Sequence, residues 1–274
     1  MFEQRPRKRS SLTSAFIILE LVYHSVVRSV RKSHGNAVMA LLINMMQVAI
    51  MVVVFYAMFS LLDMRRSAIR GDFLLYIMSG IFLYMTHVKT LGAVVGSEGP
   101  AAPMMQHAPM NTIVSILSAA LGALYIQVLS LFLILFGYYV IINRFVIEQP
   151  VAAFGAFLIA WFTGFAVGVV LLAIKPWFPT FVSIFSTFYT RANMIASGKM
   201  FVANTLPGYM LAMFDWNPLF HAIDQARGFI FVNYFPRNSS LEYPIIVGIA
   251  LLMIGLIGEF YTRRHASLSW SARR

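Results

Sequence analysis

The stretch AVMALLINMMQVAIMVVVFYAMFSLL, residues 37–62, contains no charged side chain. A helix needs about 20 predominantly apolar residues to cross a hydrocarbon core of about 30 Å, so this segment is long enough to span a membrane. Working outward from it, comparable apolar stretches recur at about 73–95, 112–142, 151–174, 179–198 and 243–261. The segment at 179–198 is the least apolar, interrupted by Thr187, Thr190, Arg191 and Asn193. The whole chain agrees with this reading. Of its 274 residues, 59% are apolar and only 11% charged, where a soluble domain carries roughly 25% charged residues. The expected fold class is an all-α membrane protein of about six transmembrane helices. A soluble enzyme, a disordered chain and a disulfide-stapled secreted domain are excluded, the last because there is no cysteine.

Charge placement sets the expected orientation. Residues 1–32 carry seven Lys/Arg against Glu3 and Glu20, and Arg263, Arg264, Arg273 and Arg274 follow Glu259 without an acid. Basic flanks stay on the cytoplasmic side, so both termini are expected inside and the number of crossings even. Arg65, Arg66 and Arg70, in the loop after the first span, oppose this assignment. Basic tails beside spans are read as topology signals, not as nucleic-acid binding. No cleavable signal peptide is expected, since the apolar stretch Ala15–Tyr23 is broken by Glu20 and lacks a small-residue cleavage site.

Within 1–35, Glu20, His24, Arg28 and Arg31 form one polar stripe, while Phe16, Leu19, Tyr23, Val26 and Val30 form an apolar one. That pattern is expected of an amphipathic helix lying in the membrane interface over 12–32. The membrane domain is expected over 36–262, with a second basic tail at 263–274. Two connections are long: the Pro-rich segment 96–110, and 199–242, rich in aromatics suited to a water–lipid boundary. No 20–50-residue period repeats.

A search for chemistry is nearly empty. There is no G-x-x-x-x-G-K-[ST], H-E-x-x-H or G-x-S-x-G, and the six histidines are dispersed, read as interfacial or tip residues. Asn217 is a candidate N-cap with Pro218 at the first helical position. His221, Asp224 and Arg227 then share a face, with Asp224 and Arg227 spaced to pair. Asn44 and Gln47 lie on one face of the first span, as functional residues or as helix–helix hydrogen-bond partners. Arg191 is expected at the bundle interior or a water-filled path.

Asn217-Pro-Leu-Phe-His-Ala-Ile-Asp-Gln-Ala-Arg227, followed by Val232-Asn-Tyr-Phe-Pro236, resembles the N-P-x-x-H-x-x-E-x-x-R stretch of ABC-2-type exporter permeases. The similarity is greatest to the inner-membrane permease family of bacterial capsular polysaccharide export. Arg191–Gly198, Leu206-Pro207 and Ala108-Pro-Met-Asn-Thr-Ile113 are similar to further motifs of that family, with Ala108, Met105 and Gln106 standing where basic residues are usual.

The resemblance implies a homodimeric permease in the bacterial inner membrane, with two soluble ATPase subunits that bind the ATP and magnesium; the chain itself needs no cofactor. It implies export partners in the periplasm and outer membrane and a polysaccharide cargo. ATPase coupling falls to Arg28 and Arg31 and to Pro103, Gln106, His107, Pro109 and Met110. Channel or gate candidates are the aromatics Tyr56, Tyr76, Tyr84, Phe188 and Tyr189, which in apolar helices more often serve packing, together with Arg191. Asn217, Pro218, His221, Asp224 and Arg227 would build periplasmic re-entrant helices within 199–242. Competing cargoes are O-antigen, teichoic acid or a small drug or lipid, and a membrane lipid-modifying enzyme is the rival of another class.

Overall fold

The computed structural model describes residues 20–27, 37–61, 69, 71–97 and 112–265. The described residues are helical, without a strand. Residues 20–27 form a short helical stretch. The main elements are α1 (Ala37–Leu61), α2 (Phe73–Val95), α3 (Thr112–Ile141), α4 (Pro150–Ile174), α5 (Pro179–Ala196), α6 (Gly208–Phe214), α7 (Pro218–Ile230) and α8 (Glu242–His265), with a 3₁₀ turn at Ala203–Thr205.

Local chemistry fixes several starts. Asp72 caps α2, its Oδ1 accepting from the Leu74 and Leu75 amides at 2.9 and 3.3 Å. Pro150, Pro179 and Pro218 open α4, α5 and α7, where the missing N–H costs nothing and the fixed φ already suits a helix.

Helices α2 and α4 form the centre. Sixteen of the 23 residues of α2 are buried, and α2 packs against α1, α3, α4, α5 and α7, while α8 lies along α4. Small residues allow the close contacts, as expected where hydrocarbon solvent gives no hydrophobic drive between helices. A Cβ on Gly255 of α8 would fall 2.9 Å from both Val169 Cγ1 and the Val170 amide nitrogen of α4. Polar side chains tie α1 to its neighbours: Asn44 Nδ2 donates to Ser130 Oγ at 2.8 Å, Gln127 Nε2 donates to Asn44 Oδ1 at 2.9 Å, and Lys89 Nζ donates to Gln47 Oε1. The two amides of the first span therefore serve helix–helix bonding.

Among the described residues five helices, α1, α2, α3, α4 and α8, are long and apolar enough to cross a membrane. The sequence reading counted six. Helix α5 falls short because Thr187, Thr190, Arg191 and Asn193 dilute its 18 residues. Its path is informative all the same. Val182 packs with Leu91, the Tyr189 hydroxyl bonds His87 Nε2 at 3.0 Å, and the Tyr84 hydroxyl donates to Thr190 O at 3.1 Å. Gly80 lies against Lys199. These pairs run in opposite senses, so α5 climbs antiparallel along α2 and stops beside Gly80. That is seven residues inside the start of α2, or about 10 Å at 1.5 Å per residue. The connection 197–217 then folds back on the end of α5, where Asn217 meets Asn193 and Ala196.

The start of α1 and the end of α8 lie at the same end of the bundle, since Gln47 meets Lys89 toward the end of α2 and Thr262 meets Trp177 just past α4. There Lys175 Nζ donates to Val95 O at 2.7 Å, and Trp177 Nε1 donates to Thr262 Oγ1 at 2.8 Å. At the opposite end α7 is inserted between α2, α4 and α8. Its exit is fastened by Gln149 N donating to Phe229 O at 2.9 Å.

Candidate functional site: the inserted segment between α5 and α8

Ten of the 13 residues of α7 are buried, and they include every member of the motif from Asn217 to Arg227 that lies in the helix and was singled out in the sequence. Asn217 caps α7 as expected, its Oδ1 accepting from the Leu219 amide at 3.0 Å. Its Nδ2 reaches back to α5, donating to Asn193 Oδ1 at 2.9 Å and to Ala196 O at 3.0 Å. One side chain thus joins the end of α5 to the start of α7.

His221 joins the residues before α7 to those before α8. Its Nδ1 accepts from the Ser240 amide at 3.1 Å, so the neutral ring carries its proton on Nε2, which donates to Asp215 O. Tyr243 packs on the ring with centroids 4.6 Å apart.

Asp224 and Arg227 do not pair. Among the described residues no ion pair within 4 Å joins them. The reason is competition by better-placed tertiary partners. Arg227, 1% exposed, donates from Nη1 to Gly198 O and Phe201 O at 2.8 and 2.6 Å, and from Nη2 to Lys199 O at 2.7 Å. Its guanidinium carbon lies 4.2 Å from the centroid of the Tyr76 ring. Three carbonyls just past the C-terminus of α5 are thereby satisfied by one cation, as helix ends favour. Gly198 makes the turn possible: its φ is +75°, and a Cβ there would sit 2.7 Å from the Phe220 ring.

Asp224 faces the other way, accepting from the Tyr234 hydroxyl and from Ser239 Oγ. Burial first, and then the adjacent Asp224 charge, push the Tyr234 phenol well above its usual range, so it stays a donor.

The channel candidates divide. Tyr76 and Tyr84 are buried in α2, and Tyr189 is half-buried against His87. Tyr56 and Phe188 are exposed, and Arg191 is exposed on α5, which leaves the water-filled path of its two expected positions and not the bundle interior. The geometric cause is that α5 turns only Val182 and Asn193 fully inward, leaving the opposite face outside. His87 is likewise no tip residue. It is fully buried in α2, with Nδ1 3.0 Å from Thr163 Oγ1.

The coupling candidates Arg28, Arg31, Pro103, Gln106, His107, Pro109 and Met110 lie outside the described residues. In the N-terminal helical stretch, Glu20 and His24 approach to 3.9 Å on an exposed face as the polar stripe expects. The inward residue there is Val22, whereas Tyr23, placed on the apolar stripe, is exposed.

Sequence reasoning missed Lys199. It is 3% exposed, with its Nζ 3.8 Å from the Tyr84 ring centroid, 4.7 Å from that of Phe55, and 3.8 Å from Met51 Sδ. The one available signal was a lysine directly after Gly198 in an otherwise apolar and aromatic run.

The site as a whole braces α5, α7 and α8 at one end of the bundle and covers that end with buried polar bonds. No protein-family model matches the chain, and none of the curated proteins matches it.

Proposed function

We propose that the chain is the transmembrane permease subunit of an ATP-driven ABC-2-type exporter that moves a capsular-type polysaccharide across the bacterial inner membrane. The observation that supports this best is the Asn217–Arg227 stretch, whose resemblance to the exporter motif coincides with a specific structural job. Its residues insert a short helix into one end of an apolar bundle, between the fifth passage and the last helix. Backbone that does not span is tolerable at membrane depth only where it is buried in protein or lines a wet cavity.

In this reading the end bearing α6 and α7 faces the periplasm, and both termini face the cytoplasm. Two copies form the passage, and two soluble ATPase subunits hydrolyse ATP. Closure of the ATPase dimer reaches the membrane as a rigid-body push through segment 96–110, aided by the N-terminal interfacial helix. The bracing at the periplasmic end keeps the mouth shut until that push arrives.

Deletion of the gene in its native host tests the proposal. The expected result is surface polysaccharide lost and accumulated inside the cell, restored by the wild-type gene. Unchanged surface polysaccharide would refute the cargo, and an unchanged cell envelope together with unchanged drug efflux would refute export altogether.

A further inference from the structure

Lys199 is the one strongly buried ammonium of the inserted segment, and no acid answers it. Among the described residues no carboxylate lies within 4 Å of its Nζ. The groups around it come from three helices. From α1 it meets Met51 and Phe55, neither titratable; from α2, Tyr84 and the backbone-hugging Gly80; from α7, the Arg227 guanidinium binds its carbonyl oxygen. A second cation is therefore close, while Asp224 is engaged by Tyr234 and Ser239. Two aromatic faces recover part of the lost hydration, and a thioether sulfur is a weak acceptor. An ion desolvated without a counter-charge remains costly.

This contact also sets the turn after α5 against α1. We propose that Lys199 is a loaded latch: its burial between Phe55 and Tyr84 holds the 197–217 connection against α1 in a state that protonation of the lysine opposes, so the connection is poised to leave α1 and return the ammonium to water. The proposal deepens the export reading by naming the residue that sets how readily the covered end opens. It stands or falls on a distance within this chain, with no ATPase or cargo needed.

The pH sense follows from linkage. Lys199 lies in the connection outside the spanning helices, and burial lowers it to about 7 from an ordinary lysine's 10.5. The latched state thus binds fewer protons than the released one between those values. Raising the pH through that window favours the latched state, and below about 7 it is least favoured.

The test exploits the absence of cysteine. Spin labels on Val53→Cys and Met213→Cys, both exposed positions, report the distance from α1 to α6 in the full chain reconstituted in liposomes. The wild type is expected to show one short distance at pH 9 and a second, longer one at pH 6. Lys199→Met, apolar and of similar reach, should keep only the short distance at both pH values and melt no lower than the wild type. Lys199→Arg, charged throughout, should show the longer distance at both. A wild-type distance that ignores pH overturns the proposal, as does a Lys199→Met variant that lengthens the distance or melts lower, since the lysine would then be a plain stabilising pin. A Lys199→Arg variant confined to the short distance overturns it too.

Discussion

Arg227 shows how a buried cation can be wholly structural. Its three carbonyl acceptors, on Gly198, Lys199 and Phe201, follow directly after α5, and its planar fork suits them in a way a lysine cannot. Arg227→Met would leave those buried carbonyls unanswered, at about 1–3 kcal/mol for each unsatisfied group. The variant is expected to lower the thermal midpoint in detergent by many degrees, and Arg227→Lys to recover only part of it. Asn217→Ala removes a cap and two bonds to α5, and should cost about 1–2 kcal/mol on the cap scale. Asn217→Ser should keep the cap while losing the reach to Ala196. Thermal unfolding followed by size-exclusion fluorescence checks both series; an Arg227→Met protein as stable as the wild type would contradict the bracing role. The cap and the first-position proline were legible because both act within three residues. The Asp224–Arg227 pair was misjudged for the opposite reason. Spacing of three permits the pair, but Gly198, Phe201, Tyr234 and Ser239 arrive from outside the helix and take both side chains. The Lys199 cage was invisible locally because its rings come from α1 and α2.

At the scale of elements, uninterrupted apolar runs made α1 to α4 and α8 readable to within a few residues, because composition alone decides whether a helix tolerates hydrocarbon. Helix α5 was harder. Its polar residues dilute the hydropathy, yet Tyr189 and Asn193 turn those interruptions into contacts with α2 and α7. What hydropathy could not reveal is that α5 ends about 10 Å inside the start of α2 and that the connection after it folds back onto its last turn. Packing of α8 on α4 was equally silent in the sequence, since a glycine's neighbours are not encoded beside it. Gly255→Leu is expected to push α8 off Val169 and Val170, raising protease cleavage near its ends severalfold while Gly137→Leu, where a Cβ meets open space, leaves cleavage unchanged. Equal cleavage of the two variants would contradict the packing.

For the whole molecule, the contacts of α1 with α2 and of α8 with α4 place the start of α1 and the end of α8 at one end of the bundle, while the even count expected from the basic tails requires α5 to cross. The five fully apolar helices alone would suggest an odd number, so the topology hangs on α5. Reporter fusions after residue 36 and after residue 265 are expected to report the same, cytoplasmic side, and opposite sides would mean that α5 does not cross. The export reading adds that Pro109→Asp or Met110→Asp, within the proposed coupling segment, should leave ATP hydrolysis intact while export falls at least tenfold; normal export in either variant would remove that segment from the coupling path. The export proposal rests on motif resemblance, because a transport role would leave no catalytic constellation for spacing rules to find.

The central claim is that this chain works with a soluble ATPase, and purification of the tagged full-length protein in mild detergent tests it most directly. The account predicts an ATPase subunit co-eluting in equal amount, with hydrolysis that depends on the permease being present. A protein that purifies alone from cells in which no ATPase partner can be captured would contradict it.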